Sequence, residues 1–413
     1  MSLAPNQRCE RNSSGFRRVL IRGHYSRRNT IAAVRSNAMP RLAVVVASAV
    51  AEPPVADAPP LPFHWEVAMV SMSPRSGFAR RCLRAAGLVL GLTLTPPVVA
   101  GDKPDESTGV DAEKFFGAIL KVQTRALADA RSVATLGRER EGTGVVIGAD
   151  GLVLTIGYLV IEAEEVNLVD ARGRTLPASI VGYDHVSGLA LVRAIVPLDA
   201  TPLPLGDSTR LEERDPVLIV NHGGRGDATL AYVVSRRPFT GNWEYLLESA
   251  IFTSPPTLNW SGAALIGKDG ALLGVGSLIL RDATEADPHL PGNMFVPIDL
   301  IKPIISDLLS TGRRPGPARP WLGVAADEVQ GRLLVTRVSP EGPADRAGVR
   351  SGDIILSVGG DPVHSQAEFY RKLWGRGPAG SEIPLRVLQG EDVHEVKVRS
   401  IDRLDYFRQK PTF

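Results

Sequence analysis

From Thr143 to about Ile305 the chain places its apolar residues in short runs separated by Gly, Asp and Asn. Gly144-Val145-Val146-Ile147, Leu152-Val153-Leu154, Val166-Asn167-Leu168-Val169, Leu189-Ala190-Leu191-Val192, Val217-Leu218-Ile219-Val220 and Leu272-Leu273-Gly274-Val275 are such runs. They are too short for packed amphipathic helices, and the turn signals between them recur too often. Many short strands joined by tight turns close into an all-β barrel or sandwich.

Composition divides the chain before its fold does. Residues 1–100 carry 13 Arg, no Lys and 4 acidic residues, whereas residues 101–413 carry 34 basic and 41 acidic residues. The acidic body argues against nucleic acid as the main partner, because phosphate binding needs clustered Lys and Arg. Both cysteines, Cys9 and Cys82, lie in the basic piece. The body is therefore without disulfides, thiolate zinc sites or a cysteine nucleophile, and is compatible with an oxidising, periplasm-like compartment.

The basic piece reads as processing rather than fold. From Met69 or Met72, Arg75, Arg80, Arg81 and Arg84 form a basic region, Ala85 to Leu94 an apolar one, and Val98-Val99-Ala100 a small-residue cleavage site. The apolar run is half the length a membrane span needs. It reads as an export signal over about 69–100, cleaved near Ala100 or retained as an anchor, for a periplasmic or secreted protein. Arg80-Arg81 is open to two readings, a twin-arginine signal or an ordinary basic region. Residues 1–68, with the run from Glu52-Pro53-Pro54 to Pro62, read as a disordered leader or an over-extended reading frame.

Further on, Phe115, Phe116, Ile119, Leu120, Ala126 and Leu127 recur near helical spacing, predicting a helical segment over 101–140. The β-rich unit follows over 141–312 and ends in a helix over 298–309 that stops at Thr311-Gly312. Arg313-Arg314-Pro315-Gly316-Pro317-Ala318-Arg319 reads as a stiff exposed linker. Residues 320–402 form a small strand-rich α+β module, and 403–413 a tail. The module is expected to have strands near 333–338, 354–358, 383–388 and 395–399, and helices near 343–347 and 366–374.

Gly331-Arg332-Leu333-Leu334-Val335 through Ser339-Pro340-Glu341-Gly342-Pro343-Ala344, then Ser351-Gly352-Asp353-Ile354-Ile355, resembles a PDZ domain of the bacterial protease-associated type. The resemblance implies a groove in which an extended peptide adds as a strand beside a helix, with a backbone nest for its C-terminal carboxylate. The matching loop is Trp321-Leu322-Gly323-Val324, where Gly323 lets the backbone bend toward a carboxylate. The groove helix is 366–374, with Phe369 or Tyr370 facing the ligand.

The β-rich unit resembles the trypsin-like domain of the HtrA/Deg serine proteases. Gly142-Thr143-Gly144-Val145-Val146-Ile147, Asp150-Gly151-Leu152-Val153-Leu154-Thr155, Gly182-Tyr183-Asp184 and Leu205-Gly206-Asp207-Ser208 keep the order of that family's landmarks. The resemblance implies a trypsin-like double six-stranded β-barrel followed by one PDZ domain. It also places the catalytic positions. The family's Thr-Asn-Asn-His-Val-Val becomes Thr155-Ile156-Gly157-Tyr158-Leu159-Val160, so Tyr158 stands at the general-base position. Gly188 stands at the triad acid, directly before Leu189-Ala190-Leu191. Asn259-Trp260-Ser261-Gly262-Ala263-Ala264 replaces Gly-Asn-Ser-Gly-Gly-Pro, keeping the nucleophile Ser261. Asn259 and Ser261 supply the oxyanion N–H groups.

A serine attacks a carbonyl only when a positioned base takes its proton near neutral pH. A phenol with a pKa of about 10 is a poor base there, and Gly188 has no side chain to orient one. His185, three residues before the lost acid, is the histidine nearest in sequence that could stand in; His222, His289, His364 and His394 lie further off. No spacing suggests a metal site and no Gly-rich loop suits a nucleotide, so no cofactor is expected.

Three functions follow. The chain is an exported, non-catalytic HtrA-like protein that binds unfolded or C-terminal peptides as an adaptor, a chaperone-like holder or a regulator of an active relative. Alternatively it is an active serine endopeptidase using Ser261 with a non-standard base, or a purely structural assembly module. Partners are then polypeptide ligands and a homo-trimer or mixed assembly with an active relative, for which Phe115 and Phe116 are either the anchors the resemblance suggests or ordinary core residues.

Overall fold

The structure, a computed structural model, describes residues 9–11, 17–19 and 112–408. The expected leader and export signal lie outside the described residues, apart from a small antiparallel ladder of Cys9–Arg11 with Arg17–Val19. That ladder belongs to a unit separate from the one starting at Pro97, and each stands by itself here.

Two closed six-stranded antiparallel barrels make up the larger part of the second unit. The first joins Ile119–Ala126, Glu139–Val146, Leu152–Ile156, Leu189–Ala194, Thr175–Asp184 and Ala163–Val169 in that spatial order. The second joins Thr229–Gly241, Tyr245–Ser254, Gly292–Pro297, Leu272–Leu280, Ala264–Ile266 and Pro216–Val220. Closure leaves neither barrel with a free edge, and the inward side chains form its core. Leu152–Ile156 and Leu189–Ala194 are buried almost throughout, which is why their sequences read as unbroken apolar runs.

One sequence expectation is corrected at the first strand. The segment expected to be helical holds only the short helix Ala112–Gly117, and Ile119–Ala126 is a barrel strand. Leu120, Val122, Thr124 and Ala126 point inward, while Lys121, Gln123 and Arg125 lie further out, a period of two. The adjacent pairs Phe115-Phe116 and Ile119-Leu120 happen to match helical spacing as well, so the first barrel begins earlier than 141. The closing helix is also shorter than expected. Lys302–Ile304 is a 3-10 turn carrying Pro303, and the α-helix spans Ile305–Thr311. It ends where the sequence places its stop, at Gly312 with φ 71°.

The second correction is the linker. Residues 315–317 are exposed, but the arginines on either side are anchored. Arg313 pairs with Asp402 at 3.2 Å, and the Arg319 guanidinium lies 4.1 Å over the Trp374 ring. Arg314 grips Asp184 with two hydrogen bonds of 2.9 and 2.8 Å.

The C-terminal module is an antiparallel sheet in the order Val324–Val329, Arg332–Val338, Ile354–Val358, Glu382–Gln389, Asp392–Arg399. Its helices span Pro343–Arg346 and Gln366–Trp374. Ser365 caps the second by accepting the Glu368 N–H, and the Glu368 carboxylate accepts the N–H of His364, the residue before the cap. Val324–Val329 is the outer strand, so one of its edges faces the 366–374 helix rather than another strand.

Candidate active site and peptide groove

Ser261 sits on the turn before Ala264–Ile266. Its carbonyl accepts the Thr143 N–H at 2.8 Å, which ties the turn to the first barrel. Gly262 has φ 75°, and a Cβ there would lie 2.0 Å from the Thr143 carbonyl oxygen. The position therefore requires glycine on both counts. The Ser261 hydroxyl is buried next to Tyr158, and among the described residues no well-formed hydrogen bond holds it.

Tyr158 is carried on the 3-10 turn Gly157–Leu159 at the end of the Leu152–Ile156 strand. Its hydroxyl donates to the Ser277 carbonyl at 2.9 Å. Burial raises the phenol well above its ordinary value, and the neighbouring Ser261 and Trp260 offset this only in part. At neutral pH this group is a donor whose proton is already committed. Gly157 donates its N–H to the Gly188 carbonyl at 2.7 Å, which sets the turn carrying Tyr158 beside Gly188, and Ser261 neighbours the Tyr158 hydroxyl.

The space beside Gly188 is filled. Gly188 has φ 77°, and a Cβ would lie 3.2 Å from the Tyr245 hydroxyl, which donates to the Ser187 carbonyl. Tyr183 occupies the neighbouring space, since a Cβ on Gly157 would fall 2.0 Å from its ring. His185 faces elsewhere, lining a small pocket with Glu244, Arg319, Trp321, Trp374 and Arg403. His222 is connected to the serine turn instead: its Nδ1 lies 3.1 Å from the hydroxyl of Thr143, whose N–H holds the Ser261 carbonyl. Asn259 is exposed and donates its side-chain amide to Asp227.

The loop Trp321-Leu322-Gly323-Val324 has the shape expected of a carboxylate nest. Gly323 takes φ 83°, and the N–H groups of Leu322, Gly323 and Val324 converge. They converge on a carboxylate from the chain itself. Glu244 accepts from Leu322 at 3.0 and 3.2 Å, from Gly323 at 2.6 Å and from Val324 at 2.9 Å. Trp321 pairs with Ile401 and packs against Tyr406 with ring centroids 4.7 Å apart, its ring also crowding Gly323, where a Cβ would lie 2.9 Å from it. Of the two aromatic residues expected to face a ligand, Phe369 is buried in the module's core. Tyr370 is buried in the same core, and its hydroxyl donates to the Gly241 carbonyl at 2.7 Å.

Sequence reasoning missed Glu244. Thr229–Gly241 and Tyr245–Ser254 are joined by the three residues Asn242, Trp243 and Glu244, and Glu244 has φ 58°. A left-handed residue in a three-residue hairpin loop is normally Gly. A glutamate there is the signal that could have found it.

Burial raises the Glu244 carboxyl to about 7 despite its three N–H donors. Burial, with Arg403 nearby, pushes His185 in the same pocket down to about 4. A carboxyl raised in the fold stabilises it below the unfolded value of about 4.5, and that contribution is lost as pH climbs through 7. A histidine lowered in the fold acts oppositely, its contribution falling away as pH drops from 6.5 toward 4. Glu244→Gln removes only the first effect. The variant is therefore expected to gain stability relative to wild type as pH rises from 4.5 to 7, measured by urea denaturation at stepped pH. A difference that stays constant with pH would contradict a buried, titrating Glu244.

Comparison with known proteins agrees with the fold. Residues 142–275 match the trypsin-like peptidase domain and residues 320–399 match the PDZ domain. The serine protease PepD of Mycobacterium tuberculosis is 27% identical over 329 residues, covering 74% of this chain and 68% of that protein. The periplasmic serine endoprotease DegP of Escherichia coli K12 is 28% identical over 266 residues, covering 60% of this chain and 54% of that protein. The chain thus spans little more than half the length of the DegP relative. The serine endoprotease of Yersinia pestis, a solved structure, is 24% identical with a TM-score of 0.43 over 70% of this chain and 96% of that one.

Proposed function

We propose that this chain, which has the HtrA/Deg arrangement of a trypsin-like barrel pair followed by a PDZ domain, is a non-catalytic member of that group. It binds unfolded or C-terminal peptides through the PDZ groove at 321–324 and 366–374. In that role it serves as an adaptor, a chaperone-like holder or a regulator of protein quality control in an exported compartment. One observation carries the loss of catalysis. The Ser261 hydroxyl has no base to take its proton, because its neighbour at the base position, the Tyr158 phenol, is a donor that gives its own proton to the Ser277 carbonyl.

A nucleophile without an acceptor for its proton loses on the order of 10⁴–10⁶ in turnover. The acid position offers no remedy, because Gly188 is walled by Tyr245. Oxyanion donation from the N–H groups of Asn259 and Ser261 cannot replace a missing base. His185, the substitute base in the catalytic alternative, is engaged in the pocket beside Glu244. Export is supported by the basic and apolar pattern of residues 69–100 and by the periplasmic description of the DegP relative. Assembly as a homo-trimer or with an active relative belongs to the same proposal. Phe116, half-buried on the barrel core with Arg225 5.3 Å over its ring, is the residue to probe.

The test is cleavage of an unfolded protein substrate by the purified chain and by Ser261→Ala, with a serine-reactive phosphonate label on both. Neither cleavage nor labelling is expected from either protein. Cleavage and labelling that both disappear in Ser261→Ala would establish an active endopeptidase instead.

A further inference from the structure

We propose that the PDZ carboxylate nest is occupied by the chain's own Glu244, so that a peptide with a free C-terminal carboxylate and an apolar last side chain binds only by displacing the 241–248 hairpin. This rests on reading the groove as a peptide receptor.

The hairpin imitates such a peptide at several points. Its carboxylate takes all three N–H groups of the nest, the chemistry a chain terminus would use. Two residues on, Leu246 is buried in the module's own apolar cluster, which also holds Leu322, Val324 and Leu373, and so gives that cluster an apolar side chain as a ligand's last residue would. Tyr370 holds the Gly241 carbonyl on one side of the turn, and Arg371 pairs with Glu248 through two bonds of 3.0 and 2.6 Å on the other. The next acceptor along the outer strand is also taken: the Ala326 carbonyl accepts from the Gln366 side chain. A β-adding peptide would need both the nest and that strand edge.

The backbone argues that the glutamate is there for its carboxylate. At φ 58°, Glu244 carries a left-handed strain of about 1 kcal/mol that glycine would avoid. A residue serving only to turn the hairpin would be better as glycine. Retaining glutamate under strain and buried to 6% exposure suits a side chain that has a receptor to fill.

Glu244→Gly keeps the hairpin's preferred backbone and deletes the ligand, and Glu244→Ala is its companion. The measurement is fluorescence anisotropy of decapeptides ending in Val, Leu or Phe, with amidated twins, titrated with the full chain and both variants. Alongside it, hydrogen exchange is followed at the Leu322, Gly323 and Val324 amides. Free-carboxylate peptides are expected to bind both variants at least tenfold more tightly than wild type, with no gain for the amidated twins. The three amides should lose protection in both variants and recover it on adding peptide. Equal affinity for wild type and Glu244→Gly, or amides equally protected in both, would overturn the self-occupied nest. Deprotected amides with no peptide bound by any protein would instead sink the receptor reading beneath it.

Discussion

Rebuilding the two missing side chains, Tyr158→His together with Gly188→Asp, is expected to leave the chain without proteolytic activity and to destabilise it by about 2–4 kcal/mol. Gly188 holds φ 77°, where a side chain costs about 1 kcal/mol or more. The new Cβ would press within 3.2–3.3 Å of the Tyr245 ring and hydroxyl, an overpacking that costs a further 1–3 kcal/mol or so. The added carboxylate would enter a loop that already buries Asp184, so two like charges would share it. On the other side, the Tyr183 ring crowds Gly157, the residue before the base position. Aromatic rings therefore fill the space around Gly157 and Gly188, and two substitutions do not supply the geometry a triad needs. Denaturant midpoints give the stability change, and cleavage of an unfolded substrate gives the activity. Ser261-dependent cleavage by a double variant of near wild-type stability would mean that the protease geometry had survived intact.

That arrangement was only half legible in the sequence. Tyr158, Gly188 and Ser261 are placed by the resemblance to the HtrA/Deg motifs, and the buried strands Leu152–Ile156 and Leu189–Ala194 stand beside the first two. The residues that fill the space, Tyr183 and Tyr245, are ordinary strand aromatics, and nothing local marks where their rings point. Most of the PDZ-like module was legible, including its groove helix Gln366–Trp374, but the outer strand Val324–Val329 was not expected. Phe369 and Tyr370 are neighbours on that helix and both are buried. Only packing decides that Tyr370 also meets the hairpin. Ile119–Ala126 was misread because four bulky residues satisfied two periods at once. The hairpin loop marks Glu244 as unusual, but nothing local ties it to the nest, since Glu244 and the Leu322–Val324 loop lie 78–80 residues apart in sequence. The linker failed in the same way: a run of Arg and Pro looks solvated until its partner, 130 residues upstream, is known.

That partner gives the largest single-site effect we expect: Arg314→Ala should destabilise the fold by about 2–4 kcal/mol and loosen the loop leading to Gly188. Asp184 is 1% exposed, and its carboxylate accepts from Arg314 twice, from the Ser187 hydroxyl at 2.6 Å and from the Ser187 N–H at 3.0 Å. Burial works to raise this carboxyl, but the Arg314 and Ser187 bonds outweigh it and hold it below the usual aspartate range. Removing one member of a buried ion pair costs about 3–5 kcal/mol because the other charge is left unpaired. The expectation is set lower because Arg314 is 34% exposed and Ser187 stays in place. Arg314→Lys should recover only part of the loss, since an ammonium cannot span both carboxylate oxygens as the guanidinium does. Because the aspartate is lowered in the fold, its contribution is present above about pH 4 and is lost as pH falls through its folded value. The gap between wild type and Arg314→Ala should therefore close in acid. The Gly188 N–H, which donates to the Asp184 carbonyl at 2.7 Å, should exchange faster in the variant. A stability change below about 1 kcal/mol with unaltered exchange at Gly188 would show that the linker arginine merely rests on the barrel, and that the 184–188 loop holds its shape without it.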